Sequence, residues 1–173
     1  MLTLKFKTSA GLVRQVPQVA FHYNESSGQP MQHSALTIGI AGIGQMGCSA
    51  AVAFQRAGHR VLLWARNADR LRAVQSKTDE LLKWSEDHLG PALRLGGSIH
   101  LEEDLHRLDA ESDVFLDCIL EILDEKIALF QKLTLAQQRL LLSATSGLSI
   151  TQMGRGAGCE SLLVGGTFGI LPI

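Results

Sequence analysis

The stretch LTIGIAGIGQMGCSAAVAFQRAGHRVLLWAR, residues 36–66, constrains the fold more than any other part of the chain. LTIGIA is a short apolar run rich in β-branched residues, the pattern of a buried strand. CSAAVAFQRAG has the small and apolar residues of a helix lying close against a sheet, closed by Gly58 just past its end. RVLLWA is a second buried strand. Between the first strand and the helix stand Gly42, Gly44 and Gly47 in G-x-G-x-x-G spacing. Each has its own task in a dinucleotide-binding turn. Gly42 permits the tight turn, Gly44 lets the backbone approach a pyrophosphate, and Gly47 lets helix and strand pack closely. The free amides at the helix start, around Gln45 and Met46, then face the phosphate charge. The bare spacing also fits a glycine-rich turn inside a core; the strand before it, the helix after it and the strand at Arg60 favour the nucleotide site.

The same alternation continues downstream. Asn67 is placed to cap a helix running to Trp84, with Arg70 three residues inside it and Leu71, Val74, Leu81 and Leu82 as its apolar stripe. A helical pattern resumes at 91–95. Further strands are expected at Ser98–Leu101, Asp113–Ile119, Arg139–Ala144 and Ser161–Gly166, with a helix over Asp124–Leu133. Strands alternating with helices predict an α/β fold, a Rossmann-type doubly wound parallel sheet, over residues 34–173. Residues 1–33 lack helical periodicity and contain the linker-like NESSGQP, so they read as a flexible extension; Met31, just before the first strand, is an alternative start.

Composition narrows the partners. With 16 basic and 17 acidic side chains there is no electrostatic footprint for nucleic acid or a membrane surface. No apolar run approaches the ~18 residues of a membrane helix. Cys48, Cys118 and Cys159 are isolated, with neither a disulfide framework nor metal-ligand spacing, so a reducing cytoplasm is the expected location and no metal is expected. The acid that ends the second strand in many NAD sites is absent, since Ala65 holds that position, and Arg66 follows. That points to NADP, with Arg66 pairing to a 2′-phosphate; the competing reading makes Arg66 the cap of a solvated loop.

Four stretches together resemble the N-terminal domain of 3-hydroxyacyl-CoA dehydrogenases. They are the glycine segment with its G-x-G-x-M-G and A-G-H, DVFLDCILEILDEKIALFQKL, SATSGLSIT and LVGGTFGILPI. T-S-x-L-S-I-T is the most specific of them, and it argues against the related 3-hydroxyacid-type NADP reductases. The resemblance implies hydride transfer between a 3-hydroxy carbon of an acyl-CoA and NAD or NADP. It implies that Gly42, Gly44, Gln45, Met46 and Gly47 bind the pyrophosphate. Glu121 and Lys126 match positions near the nicotinamide half, and Ser146 matches a serine that touches cofactor and substrate. Each has a plainer reading: Glu121 as an exposed loop charge, Lys126 as a solvated charge paired within its own helix, and Ser146 and Ser149 as turn and cap residues.

The departures from the family pattern matter as much. Thr167 stands where the family has its proton-handling histidine, and threonine does not titrate near neutral pH. Ala144 replaces an asparagine, and the sequence ends at Ile173, ahead of the helical C-terminal domain through which the family dimerises. Two readings stay open: a member that keeps the cofactor site and has lost its catalytic base, or a truncated gene product. Either way, this chain alone is expected to bind a nucleotide better than it turns over substrate. His59 is expected to be structural, and His88, His100 and His106 to lie at the surface.

Overall fold

A computed structural model of the chain describes residues 6–7, 34–135 and 139–166. Among these residues seven strands form one sheet: β1 (Phe6–Lys7), β2 (Thr37–Ala41), β3 (Arg60–Trp64), β4 (Ser98–Glu102), β5 (Val114–Asp117), β6 (Leu140–Ser143) and β7 (Leu163–Gly166). Their order across the sheet is β1-β7-β6-β5-β2-β3-β4. The strands from β2 to β7 are mutually parallel, and only the short β1 runs antiparallel, against β7. Apart from Phe6–Lys7, the expected extension over residues 1–33 lies outside the described residues.

Alternation along each strand divides the core in two. Ile38, Ile40, Val61, Leu63, Leu116 and Leu142 point to one face, where they meet Cys48, Ala51 and Val52 of α1 (Gln45–Arg56), Leu71 of α2 (Ala68–Arg72) and Leu81 of α3 (Val74–Leu89). Ala41, Leu62, Phe115 and Leu141 point to the other, against Leu108 of α4 (Leu105–Glu111), Phe130 of α5 (Leu123–Phe130) and Met153 of α6 (Ile150–Ala157). Burial on both faces is why these strands read as continuous apolar runs rather than as alternating ones.

Several local expectations are met by the hydrogen bonds. The Asn67 side chain accepts from the Arg70 amide at 2.9 Å. Gly58 follows α1 with φ +88°, the left-handed turn expected of a glycine there. Ser149 caps α6 by accepting from the Gln152 amide. His59 is buried, and its Nδ1 accepts from the Leu36 amide at 3.2 Å. His88, His100 and His106 are exposed.

Two expectations are corrected. The helix expected from Asn67 to Trp84 is divided at Ala73 into α2 and α3 and runs on to Leu89. Residues 91–95 are not helical. Gly90 ends α3 with φ +79°, and the buried Arg56 guanidinium donates to the carbonyls of Gly90 (2.6 Å) and Pro91 (3.2 Å), tying down the segment that a further helical turn would need.

The chain runs outward from β2 through β3 to β4, then returns to the other side of β2 and runs through β5 and β6 to β7. The reversal falls between β2 and β5. In an open parallel sheet this reversal opens a crevice beyond the carboxyl ends of the strands, the usual place for a ligand. On the amino-terminal side, β2 and the entry to β5 are tied by the Thr37 amide, which donates to Asp113 Oδ2 at 2.7 Å.

Candidate cofactor site

The turn from β2 into α1 opens at this reversal. Gly42 has φ +118°, and its amide donates to the Trp64 carbonyl at 2.8 Å. A Cβ on Gly42 would stand 2.3 Å from the Cys118 carbonyl oxygen, and one on Gly47 would stand 1.9 Å from the Gly42 carbonyl oxygen. Both positions are closed to any side chain. Gly44 differs: it caps α1, is exposed, and among the described residues a Cβ there would meet nothing within 4 Å. No side chain caps α1 and no acidic residue stands in its first turn. The amides of a first helical turn lack partners within the helix, and the helix dipole adds positive potential. Gly44, Gln45 and Met46 therefore form a bare, electropositive cradle over open space, with Gly42 and Gly47 as its tight inner wall. The fit to a diphosphate rests on that open space.

Cys118, just past β5, completes the wall. Burial pushes its thiol well above the ordinary cysteine range, and the neighbouring Asp117 charge adds to this. Cys48, in α1, is also raised by burial and donates to the Ile43 carbonyl at 3.3 Å. No cluster of metal-ligating side chains occurs among the described residues.

Arg66 lies just beyond β3, exposed, and its guanidinium pairs with the carboxylate of Glu125 in the first turn of α5. Because β3 and β5 flank β2, this pair joins the loop after β3 to the start of α5, on either side of the glycine turn. The loop cation read from the sequence thus has a carboxylate partner from a distant segment.

Beyond β5 and β6 two buried charges meet a more exposed one. Asp117, the last residue of β5, and Lys126 of α5 are 0% and 1% exposed and pair at 2.8 Å. Asp117 Oδ2 also accepts from Ser143 Oγ at 2.6 Å, and its Oδ1 accepts from the Ile119 amide at 3.0 Å. Lys126 Nζ donates to the Ile119 carbonyl at 3.3 Å and lies 3.6 Å from Glu121 Oε2. Glu121 Oε1 accepts from the Thr145 hydroxyl, the Ser146 amide (3.1 Å) and the Gly147 amide (3.2 Å). Burial acts to raise the Glu121 carboxyl, but the Thr145 hydroxyl, the Gly147 and Ser146 amides and the Lys126 ammonium outweigh it and hold it below the usual range. The reading of Lys126 as a solvated charge paired within its own helix is thereby corrected: it is buried, and its nearest partner comes from β5.

Ser146 is exposed in the turn after β6, at the same end of the sheet as the glycine loop. Thr167 lies outside the described residues. Gly42 to Gly47, Arg66, Glu121, Lys126 and Ser146 all gather at the carboxyl edge. Asp117, Ser143 and Thr145 belong with them and were not singled out from the sequence. The available signal was a carboxylate at the end of an apolar strand, in DVFLD.

A family profile described as 3-hydroxyacyl-CoA dehydrogenase, NAD binding domain, matches residues 37–168. No curated protein matches the chain. Among solved structures, FadB2 of M. tuberculosis is similar with a TM-score of 0.66 and 21% identity, over 76% of this chain and 49% of that one. The 3-hydroxybutyryl-CoA dehydrogenase of Escherichia coli K12 is similar with a TM-score of 0.63 and 26% identity, over 77% of this chain and 29% of that one. The (S)-3-hydroxybutyryl-CoA dehydrogenase PaaH1 of Ralstonia eutropha gives 0.63 and 20%, over 76% and 48%. The chain therefore spans half or less of the length of these proteins.

Proposed function

Because the chain belongs to the 3-hydroxyacyl-CoA dehydrogenase family through its NAD-binding domain, we propose that it holds NAD(H) at the β2–α1 turn. In this reading it is the cofactor half of a dehydrogenase acting on a 3-hydroxyacyl-CoA. The observation that carries the proposal is the contrast among the three glycines, two walled in by backbone and one open to the ligand side. The bound nicotinamide supplies the site that gives or takes the hydride. The chain's own part is alignment. The amides of Gln45 and Met46 take the pyrophosphate charge. The ends of β3 on one side of the turn and of β5 and β6 on the other would hold the two halves of the dinucleotide, and the exposed Ser146 would offer its hydroxyl to a substrate oxygen.

For the choice of cofactor, Glu125 favours NAD. It supplies near Arg66 the carboxylate that Ala65 lacks, able to accept from a ribose 2′-hydroxyl, and it competes with a 2′-phosphate for the Arg66 guanidinium.

A second reading, nucleotide binding without turnover, is favoured by Thr167, which brings no titrating group to the family's histidine position. Titrating the purified chain with NADH, NADPH and ADP-ribose tests the shared claim, and saturable NADH binding is expected. Assay with acetoacetyl-CoA then separates the two: rapid NADH-dependent reduction supports the enzyme, and binding without reduction supports the second reading.

A further inference from the structure

We infer that Asp117, Lys126 and Glu121 are positioning residues, a line of alternating charges that locks the Thr145–Gly147 turn, and with it Ser146, onto the loop between β5 and α5. The inference rests on the reading of the crevice as a dinucleotide site.

The geometry is specific. Lys126 is held by Asp117, whose carboxylate also accepts from the Ser143 hydroxyl and the Ile119 amide. The ammonium so fixed stands 3.6 Å from one oxygen of Glu121. The other oxygen of Glu121 takes three donors from the serine turn at once. Thr145 in turn accepts from the Leu148 amide at 3.0 Å, which carries the constraint toward α6. The exposed turn, containing a glycine with open space around it, is thus anchored by a carboxylate that is itself anchored by a buried cation.

Stability alone is a poor reason for such an arrangement. Desolvating an ion pair offsets most of its attraction, and apolar side chains of similar volume would hold β5 to α5 as well. What an apolar pair would not supply is a directed acceptor for the Ser146 and Gly147 amides. A reactive side chain on a loop needs that kind of support to keep its geometry.

The test uses the full chain with Glu121→Ala and Glu121→Gln. The Glu121 side chain is 45% exposed, so both variants retain the fold. Two quantities are measured: amide hydrogen exchange at Ser146 and Gly147, and affinity for NADH beside ADP-ribose, which lacks the nicotinamide. In Glu121→Ala the two amides are expected to lose about tenfold or more of their protection, and NADH to weaken about tenfold while ADP-ribose holds within about twofold. Glu121→Gln, which keeps an acceptor oxygen, restores most of both. Unchanged exchange and an unchanged NADH to ADP-ribose ratio in Glu121→Ala would overturn the inference, as would equal weakening of both ligands. If the wild-type chain binds neither ligand, the dinucleotide reading fails, and the exchange data still decide whether the turn is locked.

Discussion

A Cβ on Gly47 would lie 1.9 Å from the carbonyl oxygen of Gly42, so the start of α1 and the end of β2 touch backbone to backbone. No rotamer change relieves such a contact, because both partners are main chain. Gly47→Ala is expected to lower stability by about 1–3 kcal/mol through forced displacement of the turn. NADH binding should be lost at the same time. Urea unfolding followed by circular dichroism, with a parallel NADH titration, measures both.

Gly44 should behave in the opposite way. Its φ of −68° suits any residue, and none of the described residues stands within 4 Å of the position a Cβ would take. Gly44→Val is expected to unfold at a denaturant concentration close to wild type. It should still weaken NADH by about tenfold or more, since the side chain occupies the space the diphosphate needs. A parallel loss of stability and affinity would show that Gly44 is a folding residue instead.

The Arg66–Glu125 pair gives an expectation about cofactor preference. Both side chains are substantially exposed, so the pair is worth little to stability. Glu125→Gln should leave the melting temperature nearly unchanged and shift the NADPH to NADH affinity ratio about threefold or more toward NADPH. Arg66→Gln should weaken NADPH and spare NADH. Fluorescence titration of each variant with both cofactors reads the ratio directly.

Glu121 sets a pH dependence whose sign follows from its lowered carboxyl. An unfolded glutamate titrates near ~4.3. Since the folded value is lower, the stabilisation from this group is fully present above that pH and is lost as pH falls through the folded value. The stability difference between wild type and Glu121→Gln should therefore be constant near neutrality and shrink on acidification below ~4.3. Urea unfolding at a series of pH values checks it.

What the sequence made legible acts through near neighbours in the chain. Asn67 and Ser149 cap helices that begin at the next residue, Gly58 ends the helix it follows, and the three glycines shape one turn. Their signals lie within a few positions. The helix α4 had such a signal too, since Asp104 accepts from the His106 amide, but its short apolar pattern was not distinctive enough to mark a helix. The site's buried half was not legible for a different reason. Asp117 and Lys126 are nine residues apart, a spacing that corresponds to neither helix nor strand, and they meet only because α5 folds back on β5. Arg66 and Glu125 are separated by 59 positions. No periodicity reports a pairing of that kind; it exists only once the sheet order is known.

The separation of 76 positions between Thr37 and Asp113 has a consequence for assembly. As the polypeptide emerges, β2 and β3 can pair early, yet one flank of β2 stays open until β5 has been synthesised. The carbonyl of Cys118 that backs Gly42 directly follows that late arrival. A half-made chain thus carries the whole glycine motif and still lacks the wall that shapes it. If the turn holds a nucleotide as proposed, it would do so only once β5 seats, and until then an unsealed strand flank is what a chaperone or a neighbouring nascent chain would meet.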